Sequence, residues 1–113
     1  AGVALAKDRW PGRTIHVEAE RLAQALEAAR AGADAILLDN MSPDEVRECV
    51  DAVVGLYGSR RPLLEVSGGI TLETIASYAG TGADLVSSGS LTNSAPVLDI
   101  GLDILRADDV RVR

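Results

Sequence analysis

Cysteine occurs once in this chain, at Cys49, so neither an intrachain disulfide nor a cysteine-rich metal site can be built from it, and a cytoplasmic setting is the expectation. Long apolar runs are missing as well. The longest, residues 33–38 (broken by Asp34) and 52–56, fall far short of the ~20 residues a membrane-crossing helix needs, so no membrane association is expected. The N-terminal residues Gly2, Val3, Ala4, Leu5 and Ala6 lead into Lys7 without a basic region or an extended apolar region. They read as the middle of a helix, not as a signal peptide. A basic excess is lacking too: 11 Lys and Arg stand against 17 Asp and Glu, a formal charge of −6, which argues against a nucleic-acid partner. There is no low-complexity segment. What is present is 113 residues, 47% hydrophobic and 25% charged, which suits one modest folded core.

Four short apolar segments recur along the chain: Ile15-His16-Val17-Glu18, Ala35-Ile36-Leu37-Leu38-Asp39, Leu63-Leu64-Glu65-Val66 and Leu85-Val86-Ser87-Ser88. Each is followed by turn residues and then a helix-like pattern. That spacing fits one strand, one helix and two short connections per step, the unit of a parallel α/β fold. Leu22, Ala25, Leu26 and Ala29 form a helical stripe closed by Gly32. Ser42-Pro43-Asp44-Glu45 is a capping box with proline at the first helical position, and Val46, Cys49, Val50 and Val53 face inward behind it, up to glycines at 55 and 58. Thr71 opens a third helix, with Ile75, Tyr78 and Ala79 as its stripe and Gly80 at its end. Cys49 reads as inert core.

The units differ in length and show no self-similarity, which points away from a solenoid and toward a partial (β/α) barrel of parallel strands with outer helices over residues 1–96. Residues 97–113 differ. Leu98, Ile100, Leu102 and Ile104 alternate with Asp99, Gly101 and Asp103, a C-terminal strand that leaves the barrel, followed by a tail.

In such folds ligands bind beyond the C-terminal ends of the strands. Glu18, Asp39 and Glu65 stand near three of those ends, and counting by twos puts His16 with Glu18, Leu37 with Asp39, and Leu63 with Glu65 and Ser67 on one face. One such acid alone is as readily a cap or loop residue; three in one layer form a polar mouth. Ionised carboxylates on rigid strands suit either a ligand with vicinal hydroxyls or a hard cation such as Mg²⁺. The loop Ser67-Gly68-Gly69-Ile70-Thr71, with Ser88-Gly89-Ser90 one strand later, matches a recurrent phosphate site in which backbone amides meet the anion. A single Gly-Gly pair would more simply be a tight turn. Amides and helix dipoles can hold phosphate even in an acidic protein. His16 is either an acid/base or ligand contact or, more simply, a histidine satisfied within the barrel, and Asn93 either donates to phosphate or shapes its turn. None of the 11 Lys and Arg residues is expected just past the C-terminal end of a strand.

The segments His16-Val17-Glu18-Ala19-Glu20, Ile36-Leu37-Leu38-Asp39-Asn40-Met41, Glu65-Val66-Ser67-Gly68-Gly69-Ile70 and Gly89-Ser90-Leu91-Thr92-Asn93-Ser94-Ala95-Pro96, followed by Leu98-Asp99-Ile100, together resemble the quinolinate phosphoribosyltransferases. The resemblance runs from about Trp10 to Ile104. It implies conversion of quinolinate and phosphoribosyl pyrophosphate to nicotinate mononucleotide, pyrophosphate and CO₂ with Mg²⁺, in a homodimer or larger homo-oligomer. It places Glu18 and Asp39 at the ribose and metal-bound part of the donor, and Ser67, Gly68, Gly69, Gly89 and Ser90 at its phosphate; His16, Glu65 and Asn93 are further candidates. His16 stands where the family often has glutamate, and Asn93 where it usually has histidine. The cationic residues that bind the dicarboxylate lie in the family upstream of the matching region, and Lys7 is not a stand-in for the catalytic lysine. The chain therefore resembles the last part of such an enzyme, lacking an N-terminal portion and incomplete for catalysis by itself. A molybdenum-transport-associated paralogue of the same fold and a non-catalytic barrel fragment are the alternatives.

Overall fold

A computed structural model of the chain describes residues 2–102. Helix α1 (Gly2–Arg9) precedes strand β1 (His16–Ala19); α2 (Leu22–Arg30), β2 (Ala35–Asp39), α3 (Pro43–Tyr57) and β3 (Leu63–Ser67) follow, a 3₁₀ turn (Gly58–Arg60) separating the last two. The short elements α4 (Ile75–Tyr78), β4 (Leu85–Val86) and α5 (Ser90–Asn93) complete them. The four strands form one parallel sheet in the order β1-β2-β3-β4. This is the expected partial barrel, an open sheet with helices over one face, because right-handed crossovers between successive parallel strands put every connecting helix on the same side.

Period two along the strands decides which residues those helices cover. Ile36, Leu38, Leu64 and Val66 are fully buried, and Val46, Cys49, Val50 and Val53 of α3 and Ala25, Ala28 and Ala29 of α2 close over them. Burial pushes the Cys49 thiol above its usual range, as fits a core residue without chemistry. The opposite face carries Leu63 and Leu85, which are 50% and 46% exposed.

The helix ends follow their local chemistry. Gly32 (φ +82) closes α2 with two bonds, its N–H donating to Ala29 and that of Ala33 to Ala28, so only a residue at ease in the left-handed region fits. At α3 the capping box forms: the Ser42 hydroxyl accepts from the Glu45 N–H, and the Glu45 carboxylate accepts from the Ser42 N–H at 2.8 Å. The Ser42 hydroxyl also donates to Glu45 Oε2 at 2.7 Å, and that bond, with the one from the Ser42 N–H, holds the Glu45 carboxyl below its usual range. α4 is shorter than expected. Its first turn, residues 71–74, goes to local bonds, with Thr74 Oγ1 accepting from the Thr71 N–H at 2.9 Å, a competition that threonine hydroxyls offer to a regular helix.

The C-terminal strand is a correction. Residues 98–102 form no strand, and Leu98, Ile100 and Leu102 are 85%, 82% and 93% exposed. Alternation marks a face, but a strand also needs a ladder partner, and none of the described residues supplies one. Ile104 and the remainder of the expected tail lie outside the described residues.

One recurrence escapes a search for self-similarity because it is only three residues long. Gly32-Ala33-Asp34 precedes β2 and Gly82-Ala83-Asp84 precedes β4, with φ of +82 and +85 at the two glycines. In each, the aspartate clasps from both sides one residue at the start of the neighbouring strand, just before β1 in the first case and within β3 in the second. The Asp34 N–H donates to the Ile15 carbonyl while the Ile15 N–H donates to Asp34 Oδ2, and Asp84 and Leu64 repeat the exchange. A cation completes each clasp: Lys7 Nζ lies 3.1 Å from Asp34 Oδ1, and Arg61 grips both Asp84 oxygens, at 2.6 and 2.7 Å. The clasps stand at the N-terminal rim of the sheet, the rim associated with stability in barrels.

The second clasp gives a testable pH dependence. The Arg61 hydrogen bonds, with the Leu64 N–H, hold the Asp84 carboxyl below its usual range. Its stabilisation is therefore complete above the unfolded-state value of about 3.9 and is lost as pH falls through the lowered folded value. The Arg61 and Asp84 side chains are 20% and 26% exposed. Asp84→Asn should lower the unfolding free energy at neutral pH by about 1–2 kcal/mol and flatten the acid limb of the stability curve. Urea midpoints from pH 7 down to pH 3 would show it; parallel curves for the variant and the parent would count against the clasp.

Candidate functional site

The face not covered by helices carries Glu18, Leu37, Asp39, Glu65 and Ser67. Register decides which of them meet. Glu18 pairs with Leu37, Leu37 with Glu65, and Asp39 with Ser67, so Asp39 and Ser67 stand one layer nearer the C-terminal rim than Glu18 and Glu65. Beyond β1 the chain continues outward, and Glu20 joins the rim: carboxylate oxygens of Glu18, Glu20 and Asp39 all lie within 4.8 Å of one another. Glu65 is outside this group. The Ser87 hydroxyl donates to its carboxylate from the neighbouring strand end.

Glu20 was therefore missed and Glu65 overplaced in the acidic cluster. The signal for Glu20 was the same period of two, continued one step past the point where the apolar pattern stops. The expectation that no Lys or Arg stands just past the C-terminal end of a strand needs correction as well: Arg21, the N-cap residue of α2, lies two positions beyond the end of β1, which places its backbone at this C-terminal rim. It forms no ion pair among the described residues.

Beside the acids, β3 runs into Ser67-Gly68-Gly69-Ile70. Gly68 and Gly69 have φ of +85 and +62, a region that glycine enters without steric cost and that lets a backbone approach a ligand closely. A cleft of about 330 Å³ lies there, lined by Ser67, Gly68, Gly69, Ile70, Thr71, Ser87, Gly89, Ser90 and Asn93. Its lining bears no charge. No hydrogen bond among the described residues uses the N–H groups of Gly68, Gly69, Gly89 or Ser90. Two loops from adjacent strands thus bring residues with unused backbone donors to the lining of one cleft.

Serine hydroxyls join the loops. Ser88 Oγ donates to the Ile70 carbonyl, lies 2.7 Å from Ser90 Oγ, and Ser90 Oγ donates to the same carbonyl at 3.3 Å. Asn93 lines the cleft, and its N–H donates to the Gly89 carbonyl at 3.0 Å, so it both shapes the turn and faces the concavity. His16 does not join. It begins β1, exposed, outside the acidic cluster, and with Glu18 borders a hollow against α1 and α2.

Chemically the rim has two parts. A neutral, donor-rich cleft suits an anion with several acceptor oxygens, held by amides with no cation needed. The neighbouring carboxylates would repel that anion unless its remainder offered hydroxyl donors or carried a cation, and both kinds of group find hard oxygen ligands there.

Comparison with known proteins agrees with this geometry. Residues 3–103 match the family model described as quinolinate phosphoribosyl transferase, C-terminal domain. A probable nicotinate-nucleotide pyrophosphorylase (carboxylating) of Archaeoglobus fulgidus is 38% identical over 94 residues, covering 83% of this chain and 36% of the relative. The human nicotinate-nucleotide pyrophosphorylase (carboxylating) is 39% identical over 90 residues, 80% of this chain and 30% of that protein. Among solved structures, the nicotinate-nucleotide pyrophosphorylase from Francisella tularensis superposes with a TM-score of 0.72 at 33% identity, covering 80% of this chain and 30% of that one. The chain spans about a third of the length of the curated relatives it matches. With the matched region taking in the acidic rim and both loops of the cleft, the chain belongs to the quinolinate phosphoribosyl transferase family, in the part that corresponds to the C-terminal domain.

Proposed function

We propose that this chain forms the phosphoribosyl-donor side of an enzyme that makes nicotinate mononucleotide, pyrophosphate and CO₂ from quinolinate and phosphoribosyl pyrophosphate, a step of pyridine nucleotide biosynthesis. The observation that carries the proposal is the adjacency of unused amides at Gly68, Gly69, Gly89 and Ser90 to the carboxylates of Glu18, Glu20 and Asp39. A sugar phosphate has the matching halves. Its phosphate accepts from the amides and from the hydroxyls of Ser67 and Ser90, with Asn93 beside them, while its ring hydroxyls donate to Glu18 and Asp39.

Mg²⁺ fits the donor set, since the three carboxylates offer hard oxygens in one cluster. Bound there with the donor, it would offset the charge of the pyrophosphate leaving group. The chain's own residues orient the sugar between the two halves, which is a positional contribution to a displacement at the sugar carbon. Glu65, held by Ser87, lies one layer deeper than Asp39. Quinolinate itself needs cationic partners, which this reading assigns to the remainder of a longer enzyme or to a second subunit of a homo-oligomer, in the cytoplasm. No helix among the described residues is long and apolar enough to cross a membrane.

Titration of the chain with inorganic phosphate, ribose 5-phosphate and phosphoribosyl pyrophosphate with Mg²⁺ tests the proposal. Affinity should rise in that order, and Asp39→Asn should weaken the two sugar phosphates about tenfold or more, the loss of one charged hydrogen-bond acceptor, while sparing phosphate. Equal affinity for phosphate and ribose 5-phosphate would leave an anion cleft with no donor site.

A further inference from the structure

Asn40 directly follows Asp39 and is the one non-glycine residue with positive φ among the described residues, at +54. Asparagine enters that region more readily than most side chains, and here the surrounding bonds fix it. The Asn40 N–H donates to the Ser67 carbonyl at 3.0 Å, the next residue, Met41, is buried with its carbonyl accepting from the Tyr78 hydroxyl at 3.0 Å, and Ser42 begins the α3 capping box. The backbone therefore leaves the side chain little choice of direction.

That side chain touches both halves of the site. Its Nδ2 donates to Asp39 Oδ2, and its Oδ1 occupies the space that a Cβ on Gly68 would need. One amide thus spans from the carboxylate that faces the sugar to the first glycine of the anion loop. An aspartate on a strand end otherwise rotates freely about χ1 and must be ordered when a ligand binds, whereas one held by a fixed donor is ordered beforehand.

We propose that Asn40 is a positioning residue, which sets the Asp39 carboxylate at a fixed place relative to the Gly68 and Gly69 amides so that the hydroxyls and the phosphate of one sugar phosphate are gripped together. It acts through Asp39 and Gly68 and need not touch the ligand. The choice of ligand rests on the donor reading above; the placement of Asp39 does not.

Two variants and two readouts separate these. Asn40→Gly retains the positive φ without steric strain and deletes the amide. Asn40→Asp retains the shape and the tolerance for positive φ but sets a second carboxylate against Asp39. In the ligand-free chain, the three-bond Hα–Hβ couplings of Asp39 should report one χ1 rotamer for the parent and averaged rotamers for both variants. In titrations, both variants should bind ribose 5-phosphate about tenfold more weakly, the scale of ordering one side chain, with inorganic phosphate changed by no more than about twofold. A purely structural role would instead lower both affinities together with the melting temperature. A single Asp39 rotamer in the Asn40→Gly variant, equal losses for the two ligands, or parental ribose 5-phosphate affinity in either variant would overturn the proposal. If the parent chain does not prefer ribose 5-phosphate to phosphate, the donor reading fails, and the Asp39 couplings alone decide whether Asn40 positions the carboxylate.

Discussion

Gly68→Ala is expected to eliminate measurable phosphate binding and to destabilise the fold by about 2–4 kcal/mol. Two independent effects act at this position. With φ at +85, any side chain strains the backbone, and a Cβ would stand 2.7 Å from the backbone N of Asn40, an atom that cannot rotate away. The β2–α3 turn would have to move, carrying Asp39 with it. Gly69 separates the two effects. Its φ is +62, but nothing lies within 4 Å of the position of its Cβ. Gly69→Val should therefore leave the core intact, destabilise by about 1–3 kcal/mol through backbone strain alone, and weaken phosphate binding because the relaxed loop no longer aims its amides at the cleft. Urea unfolding and phosphate titration followed by amide chemical shifts measure both. Unchanged phosphate affinity in the Gly69→Val variant would mean that the glycine loop is only a turn.

No nicotinate mononucleotide should form when the 113-residue chain alone is given quinolinate, phosphoribosyl pyrophosphate and Mg²⁺. A pyridine dicarboxylate taken out of water needs paired cations, preferably arginines that grip each carboxylate with two bonds. No Lys or Arg among the described residues lines the cleft. Lys7 and Arg61 are committed to Asp34 and Asp84 at the opposite rim, and Arg47 pairs with Asp44 on α3. Arg13 and Arg60 precede strands, which puts them at that opposite rim too. Among the described residues Arg21 alone stands just past a strand's C-terminal end, and one guanidinium can clamp one carboxylate, not two. Adding the upstream portion of a full-length relative in trans should restore product formation if the halves associate. Turnover by the chain alone would show that the substrate, or the placement of its cationic partners, is wrong.

Much of the site was legible in the sequence because parallel strands buried under helices leave a strong local imprint. Ile36 and Leu38 alternate with Leu37 and Asp39, so the chemistry-bearing face separates from the core face by period alone. Consecutive glycines at 68 and 69 declare a backbone that other residues resist. The Ser42 box and Gly32 cap depend on contacts within five residues and formed as expected. Glu65 and Glu20 exchanged places in the acidic cluster because distance between strands depends on register, and Glu18 pairs with Leu37, not with Asp39. That Arg21, beside α2, also stands just past a strand end depends on where β1 stops.

The sequence by itself determined the order of the four parallel strands and the helices between them, the caps at Gly32 and Ser42, the face of each strand that carries polar groups and the consecutive glycines after β3, all consequences of local geometry and side-chain period. Only the tertiary structure decided which carboxylates approach one another, that Asn40 lies between Asp39 and Gly68, that Asp34 and Asp84 clasp neighbouring strands, and that residues 98–102 form no strand. Each of these depends on what a residue meets across space, and sequence spacing does not carry the register, the edge partner or the fit of one side chain into the gap left by a missing Cβ.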